Sequence, residues 1–105
     1  MELKVYWTNF AKNELSKIFD YHRENASLSV AKNLAKGIVI ELQKLRGLPE
    51  IGQKENFLEE YNLDYRYLVY KNYKIVYYFD KNRQSVEIHD IFDTRQNPIK
   101  IQLKK

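Results

Sequence analysis

The stretch Tyr65-Arg66-Tyr67-Leu68-Val69-Tyr70-Lys71-Asn72-Tyr73-Lys74-Ile75-Val76-Tyr77-Tyr78-Phe79 decides the fold. Tyrosine, valine and isoleucine dominate its two halves, and such side chains suit a pleated, half-buried surface. Lys71-Asn72 between the halves reads as a turn. A further apolar run over 86–92 follows across the polar Lys81-Asn82-Arg83-Gln84. Strands over 65–70, 73–79 and 86–92, joined by short connections, form an antiparallel meander.

Upstream the period is different. Leu3, Val5 and Trp7 alternate with polar or amphipathic residues as in a short first strand. Thr8 or Asn9 can cap a helix over 9–24, on which Ala11, Leu15, Ile18, Phe19 and His22 recur every three or four residues. After Glu24-Asn25-Ala26-Ser27, a second helix over 28–46 carries Val30, Leu34, Ala35, Ile38, Leu42 and Leu45. Gly37 inside it lowers helix propensity, and close approach to the first helix would explain it. Gly47 and Pro49 end the helix, and a loop without clear period runs from 47 to 62. The order strand, helix, helix, strand, strand, strand gives an α+β fold: an N-terminal strand, an antiparallel helical hairpin and a three-stranded antiparallel meander. One domain over 1–105 is expected, with the hairpin covering one face of the sheet and a tyrosine-lined, partly basic face left open.

Composition narrows the function. With 105 residues, 44% hydrophobic and 30% charged, the chain has enough apolar surface for a core and is not a disordered chain. It contains no cysteine, which excludes thiol catalysis and cysteine-bound zinc and fits a reducing compartment. No apolar run approaches the roughly 20 residues that span a bilayer, and the start lacks a signal-peptide core. A cytoplasmic protein without membrane association is the expectation. The net charge is +4, and past Asp93 the charged side chains are Arg95, Lys100, Lys104 and Lys105, a basic end suited to a polyanion or an acidic protein.

Phosphate loops, zinc-binding histidine pairs and nucleophile elbows are absent from the sequence, and with only His22 and His89 present no metal or cofactor is expected. His22 sits on the apolar helix stripe and reads as a packing residue. His89, beside Glu87 and Asp90, has the chemistry of a general acid or base near neutral pH. Arg66, Lys74 and Arg95 are cations on or beside the strands that could hold a phosphate and stabilise its developing charge. Parity governs whether they meet. A two-residue turn pairs Tyr70 with Tyr73 and Arg66 with Tyr77, which puts Arg66 and Lys74 on opposite faces. A longer loop or a bulge reverses that.

The runs Tyr65–Tyr70 and Asn72–Phe79, followed by Ile91-Phe92-Asp93-Thr94-Arg95-Gln96-Asn97-Pro98 after the last strand, resemble the RelE/ParE family of bacterial toxins. Val5-Tyr6-Trp7-Thr8 before the first helix resembles the family's start. The resemblance implies a toxin paired with an antitoxin in a type II module, and one of two mechanisms. RelE-like members cleave messenger RNA on the ribosome without metal; here Lys74, His89 and Arg95 would carry that catalysis. ParE-like members poison DNA gyrase, with Arg66, Lys74, Arg95 and Lys100 as the expected binding residues. The chain has lysine at 74, where RelE-like nucleases usually carry arginine, and no tyrosine beyond Tyr78. A lysine lacks the planar fork that arginine offers a phosphate. These departures favour the ParE-like reading. A small basic RNA-binding domain is the remaining alternative, and no RNP motif supports it.

Overall fold

The computed structural model describes residues 3–54 and 64–95. Strand β1 (Lys4–Trp7) leads into α1 (Asn9–Asn25), then α2 (Leu28–Gln43) and a 3₁₀ turn at Lys44–Arg46. The strands β2 (Gln53–Lys54), β3 (Tyr65–Tyr70), β4 (Tyr73–Asp80) and β5 (Ser85–Asp93) follow. Local chemistry fixes the helix starts. Thr8 Oγ1 accepts from the backbone N–H of Ala11, and Ser27 Oγ accepts from that of Val30, each satisfying a donor without an intrahelical partner. The first helix ends where the Ala26 N–H returns to the His22 carbonyl.

The sheet order is β1-β5-β4-β3-β2. The meander β3-β4-β5 is antiparallel, as its sequence indicated, and two elements extend it into a mixed sheet. β1 lies parallel to β5, with Val5 opposite Val86, because the two intervening helices carry the chain back across the sheet. The short β2 rises from the stretch read as loop and pairs with Arg66 and Tyr67. The β3–β4 turn has two residues, with Lys71 in the left-handed region at φ 56°, so Tyr70 faces Tyr73 and Arg66 faces Tyr77. Arg66 and Lys74 therefore stand on opposite faces.

A bulge breaks the period in β5. Val76 pairs with Asp90 while its neighbour Tyr77 pairs with Ile88, leaving His89 as the extra residue. Ile88 and Ile91, three positions apart, consequently both enter the helix-side core. That core joins Leu34, Ile38, Leu42 and Leu45 of the helical layer to Ile75, Tyr77, Val86, Ile88 and Ile91 of the sheet. α1 is less deeply set than its spacing suggested: Leu15, Ile18 and Phe19 are only half-buried, since α1 borders the layer between α2 and β5. Val30 is exposed, and Ala31 takes its place in the core.

Gly37 serves a neighbour other than the expected one. A Cβ there would lie 2.0 Å from the Tyr70 hydroxyl oxygen, so the glycine admits a β3 side chain rather than α1. Gly37→Ala is expected to destabilise the fold by about 1–2 kcal/mol, overcoming the roughly 1 kcal/mol by which alanine is the better helix former. Urea unfolding checks this, and Tyr70→Ala in the same chain should reverse the sign of the Gly37→Ala effect. Among the described residues no helix is long and apolar enough to cross a membrane.

Candidate functional site

The face away from the helices collects aromatic rings around two of the residues singled out in the sequence. Tyr65, Val76 and Phe92 form a small buried cluster there, with Tyr67 and Tyr78 packed against it. Lys74 holds its ammonium 4.1 Å from the centre of the Tyr67 ring, a cation–π contact. His89 is carried to this face by the bulge. Its Nε2 lies 3.2 Å from Glu87 Oε1 and its Nδ1 3.5 Å from the Tyr65 hydroxyl, with the Tyr65 and Tyr78 rings edge-on to it. A proton on Nε2 lets the ring donate to Glu87 and accept from Tyr65, a fixed tautomer. Glu87 was noted in the sequence as a neighbour of His89, while Tyr65 was not singled out as its partner; the break in strand period between Ile88 and Ile91 was the available signal.

Arg66 lies on the other face and is occupied by the protein's own chain. Its Nη1 donates to the carbonyls of Glu50 and Gly52, both at 3.0 Å, and its Nε to Asp64 at 2.9 Å. The side chain is 13% exposed. Arg66, expected as a binding residue, uses these donors to fasten the segment before β2 to the sheet. Lys100 lies outside the described residues.

Arg95 stands apart from Lys74 and His89. Just past β5 its Nε donates to Asp93 Oδ1 at 2.9 Å, its Nη2 to Oδ2, and its backbone N–H to Oδ1. Asn72 adds a further donor to the same carboxylate. These hydrogen bonds, led by the Arg95 side chain, hold the Asp93 carboxyl well below the usual carboxylate range. A carboxyl depressed in the folded state contributes stability above its unfolded value of about 3.9, and loses that contribution as the pH falls through the folded value. The melting temperatures of the native chain and Asp93→Asn, distinct at pH 7, should therefore converge well below pH 4 in an acid titration.

Arg95 and Asp93 border a cleft of about 300 Å³ between α1 and the end of the meander. Glu14, Lys17, Ile18, Tyr21 and His22 form its helical wall. His22, read from sequence as a packing residue, is half-buried and places Nε2 2.9 Å from the Tyr73 hydroxyl. The i, i+3, i+4, i+7, i+8 spacing of these helical residues was the sequence signal for a shared wall. Lys74 and His89 thus share one face of the sheet, while Arg95 lies on the α1 side. Among the described residues no three histidine, aspartate or glutamate side chains group closely enough to hold a metal ion.

Comparison with known proteins follows the same architecture. The family model described as the ParE toxin of type II toxin–antitoxin systems, parDE, matches residues 5–98. Among solved structures the chain is similar to one from the chromosomal ParDE toxin–antitoxin system of P. aeruginosa, with TM-score 0.73 and 17% identity over 90% of this chain and 98% of that one. It is also similar to one from the RelBE2 toxin–antitoxin complex of Mycobacterium tuberculosis, with TM-score 0.56 and 17% identity over 89% and 99% of the two chains. No curated protein matches it in sequence. The family match takes in both helices and the whole meander, and with it the chain belongs to the ParE toxins, the toxic partners of type II toxin–antitoxin modules.

Proposed function

We propose that this toxin arrests growth by binding DNA gyrase, is neutralised by a cognate antitoxin, and carries out no RNA cleavage of its own. The observation that supports this reading is the separation of the groups a metal-free nuclease needs. Charge stabilisation requires donors within about 3 Å of one developing oxyanion, and proton transfer requires a base within hydrogen-bond reach of the same reaction centre. Lys74 and His89 lie on one face, while Arg95 is tied to Asp93 on the α1 side. Membership of the ParE family points the same way. On this reading toxin, antitoxin and gyrase share the cytoplasm, and the basic end comprising Arg95, Lys100, Lys104 and Lys105 contributes to target binding through its charge.

The alternative, a ribosome-dependent messenger RNA endoribonuclease, draws on His89. A histidine re-aimed by a bulge and oriented by Glu87 and Tyr65 is the arrangement such an enzyme would use for proton transfer. Growth assays separate the two. On expression without antitoxin, His89→Ala is expected to arrest growth as the native chain does, whereas replacing Lys100, Lys104 and Lys105 together by glutamate should relieve the arrest. Messenger RNA cut at the ribosome by the native chain, with His89→Ala inactive, would sink the gyrase reading.

A further inference from the structure

The cleft between α1 and the end of β5 has a chemistry that neither proposed mechanism uses. Ile18, Ile91, Phe92 and the Tyr73 ring give it apolar lining beside its charged groups. Lys17 and Tyr21 stand at the helical rim, with Tyr21 60% exposed, and Arg95 stands across from them with a side chain 78% exposed.

The carboxylates of this cleft are engaged, and its cations less fully so. Asp93 accepts from the Arg95 backbone and guanidinium and from Asn72, which fills the acceptor sites of an ionised carboxylate. Glu14 is 8% exposed and already engaged. The donors are less fully used. Among the described residues Lys17 Nζ meets no acceptor, and Arg95 directs only Nε and Nη2 at Asp93, which leaves the Nη1 edge of its guanidinium available. A ligand suited to this cleft therefore brings an acceptor for these two cations and carries an apolar group beside it. An ionised aspartate or glutamate supplies such acceptors, and a neighbouring apolar side chain can meet the apolar lining.

We propose that this cleft seats a carboxylate of an acidic, apolar segment of the antitoxin, held between Lys17 and Arg95 with an adjacent apolar side chain against Ile18 and Tyr73. The proposal rests on the antitoxin reading and names the place where part of that partner docks. The occupant follows from charge: the toxin carries +4, and the solved relatives come from toxin–antitoxin systems. An exposed cation opposite a partner carboxylate acts on the dissociation constant and on its salt dependence.

Titration calorimetry with the protein encoded by the adjoining short reading frame tests this. Lys17→Glu should raise the dissociation constant tenfold or more and flatten its dependence on salt, while Lys17→Arg stays within threefold of the native chain. Lys32→Glu, the same charge change on α2, should also stay within threefold. Equal weakening by Lys17→Glu and Lys32→Glu would reduce the effect to net charge and overturn the proposal, as would unchanged affinity in Lys17→Glu. Saturable binding of adenosine monophosphate, read as nuclear magnetic resonance shifts confined to Lys17 and Tyr21 and lost in Lys17→Glu, would assign the cleft to a nucleotide instead. A native chain that fails to bind the adjoining product removes the antitoxin reading itself, a result distinguishable from failure of the Lys17 variant alone.

Discussion

Tyr77→Ala is expected to lower the stability of the fold by about 3–5 kcal/mol, the range for removing a buried aromatic side chain. Tyr77 is fully buried at the centre of the helix-side core, and its loss leaves a cavity beneath the helical layer. Its hydroxyl also joins two parts of the chain. It donates to the Pro49 carbonyl at 2.7 Å and accepts from the Gly52 N–H at 3.0 Å, beside the bonds from Arg66 to the carbonyls of Glu50 and Gly52. Gly52 has no space for a side chain, since a Cβ would lie 2.5 Å from that hydroxyl and 2.7 Å from the Tyr67 carbonyl. Tyr77→Phe isolates the hydroxyl and should cost about 1–3 kcal/mol, because the N–H and carbonyl it served lose their partner. Urea unfolding measures both, and a Tyr77→Phe chain as stable as the native one would contradict the role of the hydroxyl.

Burial pushes the Tyr77 hydroxyl up to about 12. A group whose folded value is raised contributes stability below its unfolded value, here about 10, and loses it as the pH rises towards the folded value. The stability of the native chain should accordingly fall between about pH 10 and 12, with a smaller fall in Tyr77→Phe.

Leu42→Ala should cost about 2–5 kcal/mol, through lost burial and a residual cavity. Leu42 is 2% exposed and lies in the cluster that includes Ile38 and Leu45 above the sheet. That loss is a large share of the 5–15 kcal/mol by which domains of this kind are stable. Denaturant midpoints compared at constant slope give the difference directly, and a loss well under 1 kcal/mol would contradict the packing of α2 on the sheet.

Most of the architecture was legible because its signals are local. The tyrosine-rich alternation over 65–70 and 73–79 gave two strands within a residue of their observed ends, and the two-residue turn at Lys71-Asn72 fixed their register. Thr8, as one of two candidate caps, marked the start of α1. What remained hidden depends on contacts distant in sequence. The parallel pairing of β1 with β5 joins residues some eighty positions apart. β2 is too short to show a period, and Gly37 could not reveal that its neighbour is Tyr70.

The candidate site was legible in its residue types and not in their arrangement. Lys74, His89 and Arg95 were each identified by chemistry, but the faces they occupy follow from the turn, the bulge and the Asp93 pairing together. The bulge changes the parity of β5, so a strict period-2 reading separates Ile88 from Ile91 although both are buried in one core. His22 illustrates the same limit: its helix position suggested packing, while its partner Tyr73 comes from the start of β4, 51 residues away.

The central claim, a type II toxin that acts on gyrase without chemistry of its own, is tested most directly by adding the purified protein to a gyrase supercoiling reaction. The account predicts that supercoiling of relaxed plasmid is inhibited, that the antitoxin restores it, and that messenger RNA on translating ribosomes stays intact at the same toxin concentration. Supercoiling that proceeds at its normal rate while ribosome-bound messenger RNA is cut would contradict it.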